Sequence, residues 1–180
     1  MKPEVVVLKN MIRVKIDDHI LLRSAKKRDT KLIINFIREL AEYEHLTHLV
    51  EVDEVTLKKY IFKEKKIEIM IAEYDNKPAG FTVYFHNFST FLGRPGIYIE
   101  DLYVKPEFRG KGLGKHLFSY LAKLVHKRGY GRLEWACLNW NEPSIKFYKS
   151  QGAQPMDEWT VYRVSGENIA KLAGDNREEL

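Results

Sequence analysis

The segment Arg109-Gly110-Lys111-Gly112-Leu113-Gly114 limits what this chain can fold into more than any other stretch of its sequence. It joins a strand-like run, residues 97–104, to a stretch in which Leu113, Leu117, Tyr120, Leu121, Leu124 and Val125 recur on one helical face before Gly129. Glycines at that junction let backbone N–H groups come close to an anion, and the helix start adds a favourable dipole. Spelling rules out two phosphate loops. A Walker A loop needs Ser or Thr after its Lys, but His116 follows Lys115; a dinucleotide fingerprint needs Gly or Ala where Lys115 stands. A glycine turn without a ligand is the plain alternative. Three alternating glycines flanked by Arg109 and Lys111 favour the anion cradle.

The rest of the pattern mixes strands and helices. A strand at 20–23 precedes Asp29, a good helix N-cap, and then Ile33, Phe36, Ile37 and Leu40 at helical spacing to about Tyr43. A shorter helix follows Asp53, with Leu57, Tyr60 and Ile61 on one side. Strands at 67–74 and 79–88 flank the turn residues Asp75-Asn76-Lys77-Pro78 and form a hairpin. Beyond the long helix, 133–138 is strand-like and 141–150 is a short helix, with Pro143 in its first turn and Gly152 past its end. Residues 159–164 are expected as a last strand and 166–173 as a short helix. The expected fold class is α/β (α+β), a mixed sheet with helices packed on it. Residues 1–18 alternate weakly through Ile12, Val14 and Ile16 and are expected as an extension, either an edge strand or a loose arm. Residues 19–180 contain no repeat, low-complexity stretch or linker, and are expected as a single domain.

Several function classes are disfavoured. No apolar run approaches the ~18 residues of a membrane helix, and Val5-Val6-Val7-Leu8 is too short for the core of a signal peptide, so membrane insertion and secretion are not expected. One cysteine, Cys137, cannot form an internal disulfide and fits a cytoplasmic setting; in its apolar strand it is expected to be a packed thiol and not a nucleophile. Lys and Arg number 30 against 25 Asp and Glu, a net +5 that attracts anionic ligands. Because the acids are interspersed, a solvated surface is expected before a nucleic-acid-binding face. His45 and His48 have no second ligand pair to complete a metal site, so no metal is expected.

Four ordered segments resemble the GNAT acyl-CoA N-acyltransferases, and within them the diamine (spermidine/spermine) N-acetyltransferase branch. Residues 109–114 match the family's Arg/Gln-x-x-Gly-x-Gly/Ala loop. Trp140-Asn141-Glu142-Pro143-Ser144-Ile145-Lys146-Phe147-Tyr148-Lys149, with Gly152-Ala153 beyond, looks like the second cofactor segment. Ile99-Glu100-Asp101-Leu102-Tyr103-Val104 looks like the strand ahead of the loop, and Glu39-Leu40-Ala41-Glu42-Tyr43-Glu44 like the end of the first helix. The resemblance covers about residues 21–169. Two spacings depart from the animal diamine enzymes: the hairpin between the second and third strands is shorter, and so is the stretch from Tyr148 to Trp159.

The resemblance implies a mostly antiparallel central sheet flanked by helices, acetyl-CoA as co-substrate and a homodimer. It implies that Leu102, Tyr103 and Val104 present backbone groups to the pantetheine arm and thioester. Arg109, Gly110, Lys111, Gly112, Leu113, Gly114 and Lys115 would form the pyrophosphate loop, while Asn141, Glu142, Pro143 and Ser144 would meet the cofactor further along. Tyr148 would stand near the sulfur. Tyr43, Glu44 and Glu100, with Glu134, Trp135, Ala136 and Asp157 or Glu158, would line the amine site.

The chemistry of these residue types agrees with such roles. A lysine-like amine has a pKa of about 10.4, so holding it neutral at pH 7 costs about 4.6 kcal/mol. A carboxylate attracts the cation and then accepts or relays its proton. Glu100 and Asp101 are adjacent on a strand and point to opposite faces unless a bulge intervenes, so only one is expected to meet the substrate; the resemblance favours Glu100. Tyrosine stays protonated at neutral pH and can donate to a leaving thiolate, which suits Tyr148; packing in a small core is the competing role for it. The expected activity is transfer of an acetyl group to a primary amine of a small polyamine or diamine by direct attack. The alternatives are an acceptor that is a lysine-like amino acid or other small amine, an acyl-CoA-binding sensor without turnover, and a basic nucleic-acid-binding module.

Overall fold

The computed structural model describes residues 4–8 and 11–174. Parts of the expected extension and domain, residues 1–3, 9–10 and 175–180, lie outside the described residues. Seven strands form one sheet in sequential order: β1 (Glu4–Leu8), β2 (Met11–Lys15), β3 (Ile20–Ser24), β4 (Glu68–Tyr74), β5 (Lys77–Ser89), β6 (Arg94–Val104) and β7 (Arg132–Trp135). Neighbours from β1 to β6 are antiparallel, and β6 and β7 are parallel. The helices are α1 (Thr30–Tyr43), α2 (Glu54–Lys58), α3 (Leu113–Lys127), α4 (Glu142–Ser150) and α5 (Glu167–Leu172). This is the expected mixed, mostly antiparallel sheet with helices on both faces. Within the expected extension, Glu4–Leu8 and Met11–Lys15 form β1 and β2 at the sheet edge.

By its contacts the chain divides into two units, Met1–Ala136 and Cys137–Leu180. In the first, α1 and α3 cover opposite faces of the sheet. Val83 on β5 lies in the core cluster with Phe36 of α1, whereas its neighbour Tyr84 interacts through its hydroxyl with Tyr120 of α3. Successive strand residues face opposite sides, so the two helices do also. On the α1 side the Phe36 ring stacks on Phe81 with centroids 5.2 Å apart and meets Tyr103 at 6.3 Å. On the α3 side Leu113, Leu117 and Leu121 are buried at the helical spacing read from the sequence.

Local details follow from identifiable side chains. Asp75 and Asn76 both adopt positive φ, 48° and 61°, and make the tight β4–β5 hairpin. Asp53 caps α2 by accepting from the amides of Val55 and Thr56. Asp29 does not cap α1. Its carboxylate instead accepts from the Arg23 guanidinium at 2.7 and 3.1 Å and from the Lys26 amide, so a charged partner on β3 outcompetes the helix amides. The helix after Asp53 passes into a π turn at Lys59–Lys63, which leaves Tyr60 exposed while Leu57 and Ile61 stay buried.

In the second unit, Asn141 caps α4 by accepting from the Ser144 amide, and Gly152 follows the helix at φ +86°. The expected strand over 159–164 does not form; Trp159, Val161, Tyr162 and Val164 are exposed. Alternating apolar residues make a strand only where a ladder partner satisfies the backbone, and among the described residues this segment pairs with none. The expected strand over 133–138 also stops early, at Trp135, so Cys137 lies beyond it, half-buried, and not within an apolar strand.

Candidate active site

The β6–β7 ladder ends at Ile99↔Trp135, although β6 continues to Val104. Over residues 100–104, β6 therefore keeps β5 on one side and has no ladder bond to β7 on the other. Leu102, Tyr103 and Val104, which the resemblance implies as backbone contacts for a thioester arm, lie in this half-paired stretch. Tyr103 is buried, and burial together with the charge of Glu39 pushes its phenol up to about 12.

The β5–β6 register contains a bulge. Tyr84 pairs with Ile99 and Val83 with Asp101, which leaves Glu100 as the extra residue. Cross-strand partners share a face. Ile99 thus lies on the α3 side with Tyr84, while Asp101 lies on the α1 side with Val83. The alternation slips by one residue at Glu100, and the expectation that Glu100 and Asp101 face opposite ways gives way to a shared side. Thr82 fixes the bulge by donating its hydroxyl to the Asp101 carbonyl at 2.8 Å. Glu44, just past the end of α1, belongs to the same group of acids. Burial, then the charges of Glu100 and Glu44, push the Asp101 carboxyl up to about 7, and burial raises Glu44 as well. Glu100 itself is exposed.

The glycine loop follows directly. Gly110 and Gly112 have φ of +76° and +83°, and a Cβ on Gly110 would meet nothing within 4 Å, so one face of the loop is open. The 15-residue helix α3 begins at Leu113, and its first-turn amides have no intrahelical carbonyl to bond. Donors of this kind, at the positive end of a helix dipole, suit a diphosphate. Arg109 and Lys111 turn elsewhere: Arg109 Nε donates to the Val104 carbonyl at 3.0 Å, and Lys111 Nζ lies 4.2 Å from the Tyr74 ring centroid. Lys115 is exposed and Gly114 packs against Leu102 and Val104.

The other sequence-predicted residues are distributed as follows. Tyr43 lies in the last turn of α1 under the Arg109 guanidinium. Glu134 pairs with Arg132 at 2.8 Å and accepts from Asn87 at 2.7 Å, so its charge is compensated. Trp135 packs edge-on against Phe118 of α3, and Ala136 is exposed. In the second unit, Glu142 and Pro143 open α4 on its exposed side, and Tyr148 is half-buried beside Phe147, with ring centroids 5.3 Å apart. Asp157 and Glu158 are exposed.

Sequence reasoning missed two features. One is Asp101: alternation admitted only one acid of the Glu100-Asp101 pair, and the resemblance favoured Glu100. The other is an open cleft of about 470 Å³ along α1, lined by Asn35, Arg38, Glu39, Glu42, Thr47 and Val50. The i, i+3, i+7 spacing of Asn35, Arg38 and Glu42 was the available signal.

Residues 33–153 match the model of the acetyltransferase (GNAT) family. The chain belongs to that family. This GNAT enzyme is 36% identical over 167 residues to a thialysine N-epsilon-acetyltransferase of Bos taurus, a match covering 86% of this chain and 98% of the other. It is 29% identical to an L-ornithine N5-acetyltransferase of Arabidopsis thaliana, over 84% of this chain and 86% of the relative. Among solved structures, an integron cassette protein from the mobile metagenome of V. cholerae superposes with a TM-score of 0.72 at 26% identity, over 87% of this chain and 99% of that one.

Proposed function

We propose that this acetyltransferase moves the acetyl group of acetyl-CoA onto the side-chain primary amine of a small diamino acid of the lysine or ornithine type. The group of acids at Glu44, Glu100 and Asp101, beside a half-paired strand and a glycine loop, carries the proposal. It supplies negative charge for an ammonium where the chain as a whole is positive. The cleft on α1 supports an amino-acid acceptor, since Arg38 suits an α-carboxylate and Glu42 an α-ammonium. The thialysine and ornithine relatives support it too. A polyamine or diamine is the second reading, favoured by the same acids and by the similarity to a human spermidine/spermine N(1)-acetyltransferase-like protein.

In this proposal the loop from Gly110 to Lys115 holds the diphosphate through main-chain amides, and Leu102 to Val104 align the pantetheine arm through backbone groups. Bound acetyl-CoA supplies the thioester that the amine attacks. Asn141 to Ser144 bind the cofactor beyond the thioester, and Tyr148 gives a proton to the departing sulfur. Tyr43, Glu44 and Glu100 bind the acceptor, with Trp135, Ala136 and the Asp157-Glu158 pair beside it; Glu134, compensated by Arg132, adds no net charge. We assign residues 19–180 to one acetyltransferase domain with 1–18 as an extension, because the family match runs across the division between the two units. A cytoplasmic homodimer is part of the same proposal, supported by the single cysteine and by the exposed apolar segment 159–164.

Release of free thiol from acetyl-CoA, followed with ornithine, lysine, thialysine, putrescine and spermidine, tests the assignment. The highest kcat/KM is expected for a diamino acid. A clear preference for spermidine would establish the second reading, and CoA binding without transfer to any of the five would leave a sensor.

A further inference from the structure

We propose that Glu39 is a positioning residue through which the acceptor and CoA tighten each other's binding; this rests on the amine-acetyltransferase assignment above. Its carboxylate forms part of the cleft wall on α1 and also holds the end of β6, the stretch that aligns the pantetheine arm in that assignment.

Alternation along β6 brings the parts together. Asp101 lies on the α1 side, and Tyr103 and Lys105, two and four residues further on, share that side. Lys105 follows the last residue of the strand, and its amide still donates to the Ala79 carbonyl at 2.9 Å, so the ladder runs on by one bond. Both side chains end at Glu39. Lys105 Nζ lies 3.3 Å from Glu39 Oε1, and the Tyr103 hydroxyl donates to the same carboxylate. Phe36, three residues before Glu39 on α1, packs beside both, with its ring centroid 6.3 Å from that of Tyr103 and 5.7 Å from Lys105 Nζ.

On its other side Glu39 lines the cleft with Arg38 and Glu42. The side chains of Glu39 and Lys105 are 34% and 26% exposed, so in the free protein water competes for both and the pair by itself holds the strand end weakly. An acceptor seated in the cleft excludes that water. The bonds at Glu39 then strengthen in the drier surroundings, and the backbone of 103–105 loses freedom before CoA arrives. CoA binding to a strand end already ordered loses less entropy. By linkage the reverse holds as well: CoA along β6 fixes Tyr103 and Lys105, and through them the Glu39 wall of the cleft.

The test is calorimetry of CoA, which carries no acetyl group to transfer, with the full chain. Titrations are run without amine and with saturating ornithine, or with spermidine should the thiol assay rank it higher. In the wild type the amine should lower the Kd for CoA about 5-fold or more, and CoA should lower the Kd for the amine by the same factor. Glu39→Ala should bring that factor close to one, and Glu39→Gln, which still accepts from Tyr103, should keep part of it. Tyr103→Phe cuts the link from the strand side with Glu39 and its cleft neighbours in place, and should also bring the factor close to one. A residue that merely stabilised the fold would shift the Kd for CoA alike with and without amine. A wild-type factor of one, in a protein that acetylates the amine, would overturn the coupling and leave the acetyltransferase proposal standing. Absence of transfer by the wild type to any acceptor would overturn both. Retention of the wild-type factor by folded Glu39→Ala, or by Tyr103→Phe should Glu39→Ala fail to fold, would overturn the part given to Glu39.

Discussion

The guanidinium carbon of Arg109 stands 4.8 Å from the centroid of the Tyr43 ring, so the residue that opens the glycine loop also rests on the last turn of α1. With its Nε bond to the Val104 carbonyl, one side chain ties together the end of β6, the loop and α1. Lysine keeps the charge but loses the planar face and the fixed donor. Arg109→Lys should therefore raise the KM for acetyl-CoA several-fold. Because Arg109 is exposed, the stability loss should stay within about 1 kcal/mol. An unchanged KM in steady-state kinetics would show that the loop holds its shape without this arm.

Gly112→Val should weaken CoA binding sharply. At φ +83° a β-branched residue is strained by about 1–3 kcal/mol, and its Cβ would also meet the His116 ring at 3.6 Å. Calorimetry on the folded variant is the check, and unaltered CoA affinity would remove the loop from the cofactor site.

Tyr148→Phe separates proton donation from packing, since it keeps the ring and deletes only the hydroxyl. A fall in kcat of about 10² to 10⁴ is expected, with CoA affinity and Tm little changed. Near-wild-type turnover under conditions where chemistry limits the rate would leave solvent as the proton source.

Arg23 is a structural charge, 8% exposed, and bonded to Asp29 at 2.7 Å and Glu73 at 2.6 Å. Arg23→Ala strands two acids and should cost about 3–5 kcal/mol in denaturant unfolding. Burial alone would raise Asp29, but the Arg23 bonds and the Lys26 amide prevail and hold it low. The stability it contributes is present above the ordinary value of 3.8 and is lost as pH falls through the lower folded value. Acid unfolding of the wild type should therefore show a term that Asp29→Asn lacks.

Asp101 has the opposite sign. Its folded carboxyl titrates near 7 against an ordinary 3.8, so its contribution is complete below 3.8 and disappears as pH rises through about 7. Thermal unfolding at about pH 8 should give Asp101→Asn a higher Tm than the wild type, with the gain shrinking towards acid. A lower Tm at both ends would assign Asp101 a purely structural part.

Signals carried by adjacent residues were legible in the sequence. Asp75-Asn76 gave the hairpin, Asp53 its cap, and the loop at Gly110 and Gly112 its place before α3. What was not legible depends on partners distant in sequence. Asp29 reads as a cap until Arg23 arrives from β3. Residues 159–164 read as a strand because alternation reports two faces, not a neighbour to bond with. The bulge at Glu100 escaped for a related reason: an extra residue is defined only against the β5 register, and Val83 and Tyr84 lie seventeen and sixteen positions before Glu100.

Glu100 is the one residue by which β6 exceeds β5 at this point. Deleting it would be a single-codon change that improves the sheet, restoring an unbroken ladder and strict alternation. It would also leave Asp101 opposite Val83, on the α1 side, without its acidic neighbour Glu100. Evolution of this strand thus faces a trade-off in chain length as well as in residue identity: the shorter β6 is the better-formed strand, and the longer one carries one more acid beside Asp101.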